Sequence, residues 1–135
     1  MILPTGTIVA VVDGEKLRMF RNKGHEPRIE LVPLPAPDIE PVKGGSGVRH
    51  INKASNPDSD RLDEDAFAAA AAEYLNGQAI KGAFEKLYLV ADPRTLGEMR
   101  RNFHDALEQR LVGTLDRDLA GLSLEAIAEA ILAAR

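Results

Sequence analysis

The chain has 135 residues, 44% of them hydrophobic and 28% charged, a balance that suits one globular domain built around one core. It has no cysteine, which excludes disulfides, thiolate metal sites and a cysteine nucleophile and agrees with a reducing compartment. Its formal net charge of −4 argues against sequence-independent duplex binding, which needs a strong excess of Lys and Arg, but leaves room for a local basic patch.

Three strands open the chain. Thr7–Val12 is apolar and β-branched, as a central strand should be. Asp13-Gly14 is a tight-turn dipeptide, and Lys16–Arg21 then alternates apolar and basic residues. Arg28–Val32 alternates likewise after a turn at 22–27, so the three form an antiparallel meander. With Pro4 and Gly6 interrupting its apolar run and no basic region ahead of it, the N-terminus reads as a strand and not as a signal peptide.

The region from about residue 34 to 62 shows no sustained period. It carries several prolines and a Lys43-Gly44-Gly45-Ser46-Gly47 segment, and a connection of this length is usually functional or disordered. It is expected to be a mobile arm. Between Lys43 and Lys53 it holds Lys43, Arg49, His50 and Lys53 and no acid.

A helix is predicted from about Asp63 to Gln78, with acids in its first turn, an apolar face of Phe67, Ala71, Tyr74 and Leu75, and a stop at Asn76-Gly77. Leu87–Ala91 is a short apolar run of the kind buried on both faces of a sheet. Asp92 is a natural N-cap and Pro93 a natural first helical residue, so a helix should run from Pro93 to about Arg110 with Leu96, Met99, Phe103, Ala106 and Leu107 on one stripe. Val112–Leu115 can form a last strand, and Ser123 caps a final helix carrying Leu124, Ile127 and Ile131. Three antiparallel strands followed by helix-linked parallel ones define an α/β, ribonuclease-H-like mixed sheet with about three helices. Right-handed crossovers then place 87–91 beside the first strand.

That topology brings Asp13 and Asp92 to one end of the sheet. With Glu64 or Asp65 they could hold Mg²⁺ as a two-metal nuclease does, although each acid also has an ordinary turn, capping or first-turn role. His25, His50 and His104 lack metal-ligand spacing, and Ser46 lacks the strand–elbow–helix setting of a hydrolase nucleophile. Arg94, Arg100, Arg101 and Arg110 are interleaved with Glu98, Asp105 and Glu108, as on a solvated ion-paired face; Arg94 stands apart at a helix N-terminus, where anions are favoured.

Four segments, VVDGEKLRMF, DAFAAAAAEYL (65–75), VADPRTLGEMRR and RDLAGLSLEAI (117–127), together resemble the small bacterial family of host-attachment proteins, required for attachment to host cells. That family is similar in fold to the middle domain of archaeo-eukaryotic peptide-chain release factors, whose Gly-Gly-Gln loop precedes the first long helix. Here the arm occupies that place with Gly44-Gly45-Ser46 and no glutamine, so peptide release is not expected. The resemblance implies a non-enzymatic cytoplasmic protein, an RNA- or ribosome-associating module with an indirect role in attachment. Its RNA or phosphate contacts would be Lys43, Gly44, Gly45, Arg49, Lys53 and Arg94, with no cofactor, no metal and no membrane. Two alternatives stay open: the metal-dependent nuclease at Asp13, Asp92, Glu64 and Asp65, and a structural protein that dimerises through a strand edge or an apolar helix face.

Overall fold

The computed structural model describes residues 2–39 and 57–134, with side chains for all of these except 57–61. Its elements are β1 (Ile8–Val12), β2 (Leu17–Asn22), β3 (Leu31–Leu34), α1 (Pro57–Lys81), β4 (Leu87–Ala91), α2 (Pro93–Arg100), α3 (Asp105–Glu108), β5 (Leu111–Leu115) and α4 (Leu124–Ala133). The strands form a five-stranded sheet in the order β3-β2-β1-β4-β5. β1 pairs antiparallel with β2 and parallel with β4, and β4 pairs parallel with β5, which is the ribonuclease-H-like arrangement expected.

β1 and β4 are buried along their whole length, because helices cover both faces of the sheet. Alternate residues serve the two layers. Ile8, Ala10, Val12, Leu87, Leu89 and Ala91 face one core with Phe67 and Leu75 of α1, Leu96 and Met99 of α2, and Leu107 of α3. Val9, Val11, Tyr88 and Val90 face the other, with Leu119, Ala120 and, from α4, Ile127 and Ile131. The buried alanines 68, 71, 72 and 79 keep the side of α1 that meets the sheet smooth, so the long helix lies close against it.

Three predicted boundaries are corrected by contacts that no local pattern reveals. First, α1 starts at Pro57, within the predicted arm, and runs past Asn76-Gly77 to Lys81. It ends at Gly82, whose φ of 75° is one a Cβ would disfavour. Gly82 N–H donates to Ala79 O and Ala83 N–H to Gln78 O, which closes the helix as a Schellman motif. At the other boundary of the arm, Ile39 packs against the α1-side core.

Second, the single helix expected over 93–110 is two. Buried Asn76 accepts from His104 N–H at 2.9 Å and donates to Asn102 O at 2.7 Å, holding the chain between α2 and α3 in a non-helical conformation. His104 then caps α3, its Nδ1 accepting from Ala106 N–H at 3.0 Å. It is an N-cap, not a mid-helix surface residue. Third, β3 begins at Leu31, because residues 23–30 form a loop closed by fully buried Asn22. The Asn22 Oδ1 accepts from Gly24 N–H and Glu30 N–H, both at 2.9 Å. Pro33 falls within β3, which among the described residues pairs with β2 alone and so tolerates a residue without an N–H.

Arg18 on β2 belongs, by its sequence, to a half-exposed alternation. Its Nη1 donates to Ala120 O and Leu122 O at 2.9 and 2.8 Å while the guanidinium lies 5.0 Å from the Phe20 ring, so it ties the sheet to the turn before α4.

Two measurements test this packing. Asn76→Ala strands two backbone groups near the core and should lower unfolding free energy by about 2–3 kcal/mol in urea titrations. Burial raises the pKa of Tyr88 above its ordinary 10.0. The unfolded chain then loses this proton first, so the stability held below about pH 10 should fall as pH rises toward the folded pKa. Urea titrations of Tyr88→Phe should lack that alkaline component.

Candidate functional site

The carboxyl ends of β1 and β4 lie side by side, since Val12 pairs with Ala91. Asp13 and Asp92, the next residues on the two strands, therefore stand at the same edge, as the topology predicted. The β1–β2 turn is built on Asp13: its Oδ1 accepts from Glu15 N–H and Lys16 N–H, both at 2.7 Å, and its own N–H donates to Lys16 O. Asp92 caps α2 through Oδ2, which accepts from Thr95 N–H at 3.1 Å, and Pro93 takes the first helical position.

The first described turns of α1 reach the same edge. Glu64 lies against Gly14, where a Cβ would come within 2.6 Å of its Oε2. Asp65 meets Arg94: Nη2 donates to both carboxylate oxygens, at 3.2 and 3.1 Å. The four acids proposed as metal ligands thus gather at one end of the sheet. Three of them spend oxygens on a turn, a cap and an ion pair. Among the described residues, no group of three or more His, Asp or Glu is placed to hold a metal ion.

Beside the Asp65–Arg94 pair lies an open pocket of about 330 Å³ lined by Asp65, Pro93, Arg94, Gly97, Glu98 and Arg101. Arg101 approaches Glu98 at 3.8 Å, so both arginines share their surface with a carboxylate. The Arg94 side chain is half-exposed (47%), and its contacts to Asp65 are made through Nη2 alone. Arg100, further round α2, donates to Thr114 Oγ1 on β5. Arg110 is drawn away from this face, its Nη1 donating to Phe84 O at 2.9 Å. The arginines that form one helix surface by sequence therefore serve different places. Lys43, Gly44, Gly45, Arg49 and Lys53 lie outside the described residues. β3 ends and α1 begins at this edge of the sheet, so the arm is tethered at the end that carries Arg94.

The mixed sheet, the long helix after its third strand and the N-capped α2 define an α/β domain of ribonuclease-H-like architecture. A family model described as bacterial archaeo-eukaryotic release factor family 12 matches residues 6–131, and the chain belongs to that family. No curated protein matches it. The match supports the release-factor half of the sequence resemblance. Among the described residues no helix is long and apolar enough to cross a membrane.

The local interactions can be weighed by mutation. Asp92→Ala should cost about 1 kcal/mol through removal of the cap. The double-mutant cycle of Arg94→Ala with Asp65→Ala should give a coupling below about 1 kcal/mol, because both side chains are substantially exposed. Denaturant titrations of the single and double variants measure both.

Proposed function

We propose that the chain is a non-enzymatic, translation-associated module of the cytoplasm that contacts RNA, as part of the ribosome or free, through its basic arm. The observation that carries this reading is membership of a release-factor family across residues 6–131. The arm's position adds to it: residues 35–56 connect β3 to the longest helix, where release factors carry their functional loop. Lys43, Arg49 and Lys53 supply charge without a neighbouring acid, and Gly44 and Gly45 allow the backbone to approach phosphate closely. Arg94, at the edge where the arm is tethered, supplies a further donor. With Gly44-Gly45-Ser46 in place of Gly-Gly-Gln, the reading is of binding and not of peptidyl-tRNA hydrolysis. A part in host attachment would then be indirect, through the synthesis of other proteins.

Sucrose-gradient sedimentation of cell extract tests the proposal. The wild-type chain should travel with ribosomal particles in low salt, and Lys43/Arg49/Lys53→Ala should shift it to the top of the gradient. Wild type that stays at the top, or a triple variant that sediments unchanged, would remove the basis for this function.

A further inference from the structure

The opposite end of the sheet carries the reverse charge balance. Within two residues of the amino ends of β1, β3, β4 and β5, the carboxyl end of β2 and the last residue of α1 stand Arg21, Lys23, Lys81, Lys86 and Arg110, against Glu30 and Glu85. At the Arg94 edge, the residues just beyond β1, β4 and β5 and just before β2 are mainly acidic: Asp13, Glu15, Asp92 and Asp116, against Lys16 and Arg117. For a chain of net charge −4, this separation concentrates positive potential where the arm is not attached.

The basic end also contains a cleft of about 320 Å³, lined by Thr5, Gly6, Ile8, Arg21 and residues 82–86. Arg21 and Lys86 flank it from either side of β1. Ile8 pairs with Arg21 on β2 and with Leu87, the neighbour of Lys86, on β4. Two strand spacings put their backbones roughly 10 Å apart, within reach of one short stretch of polyanion. Both residues are exposed, and neither side chain makes an ion pair or a hydrogen bond among the described residues. That contrasts with Arg18, Arg94, Arg100, Arg101 and Arg110, each engaged with a partner group. Gly6 and Gly82 contribute no side chain to the cleft, and a Cβ at either position would meet nothing within 4 Å. Glu85 is the one acid in the lining.

We infer that this cleft is a second RNA-backbone site, in which Arg21 and Lys86 bind phosphodiester oxygens on the side of the sheet away from the arm. The inference rests on the RNA-binding reading above and extends it. RNA held by both ends would run along the domain and not merely touch the arm.

Fluorescence anisotropy with a labelled 20-nucleotide poly(U) strand, over a series of salt concentrations, tests it with wild type, Arg21→Ala/Lys86→Ala, Lys43/Arg49/Lys53→Ala and the acidic-end control Lys16→Ala. If the cleft binds RNA, Arg21→Ala/Lys86→Ala should bind several-fold more weakly. Its slope of log K against log salt should be shallower by about 1.4, near 0.7 for each phosphate of a single strand that the variant no longer neutralises. Lys16→Ala should match wild type. If the cleft variant keeps wild-type affinity and slope while the arm variant fails to bind, the cleft is overturned and the arm reading stands. If wild type binds no RNA, both fall. Arg21→Gln/Lys86→Gln, with thermal unfolding followed by circular dichroism, separates weaker phosphate binding from impaired folding.

Discussion

Everything in this molecule is arranged around the parallel pairing of β1 with β4. Both strands are buried on both faces, so every side chain in them must find an apolar partner in one of two layers. The pairing sets which residues serve which layer, and it aligns the strand ends so that Asp13 and Asp92 emerge together. A one-residue slip would send the whole set to the wrong face and separate those two termini. With few aromatic side chains available, the layers are filled mainly by aliphatic residues, and alanine on α1 lets the long helix settle against the sheet.

The second organising device is a small group of polar side chains that satisfy backbone groups where regular structure stops. Asn22 closes the β2–β3 loop, Asn76 holds the joint between α2 and α3, His104 starts α3, and Arg18 gathers the carbonyls before α4. Backbone groups taken from water must be paired, and an amide side chain, with a donor and an acceptor, can serve two segments at once. Among the described side chains, no buried nitrogen or oxygen is left without a hydrogen-bond partner. These contacts fix the ends of the elements more firmly than intrinsic propensity does.

Membership of the release-factor family gives this scaffold a biological setting, and the charge distribution gives it two unlike ends. The end with Asp13, Asp65, Asp92 and Arg94 is knit together by turns, caps and an ion pair, so its carboxylates stabilise local structure. The end with Arg21 and Lys86 keeps cationic side chains that no intramolecular partner neutralises among the described residues.

Much of the fold was legible in the chain. The central strands, the Asp92-Pro93 junction, the Ser123 cap and the strand order follow from apolar runs, capping residues and crossover geometry, all of which act over a few residues or by a general rule of handedness. The common edge of Asp13 and Asp92 was legible for the same reason. What the tertiary structure decided was where elements stop and which charges are spent. Asn76-Gly77 reads as a helix end, yet tertiary contacts carry the helix on and turn the asparagine toward a segment 26 residues away. The arginines of α2 and the residue before β5 read as one surface, yet Arg94, Arg100 and Arg110 answer to α1, β5 and the loop before β4. Arg21 reads in the sequence only as a basic residue of an alternating strand, because nothing in a period or a motif shows that it and the distant Lys86 flank one cleft. Local sequence determines the elements and the residues that start them; pairing between groups far apart in the chain determines their limits and the sites between them.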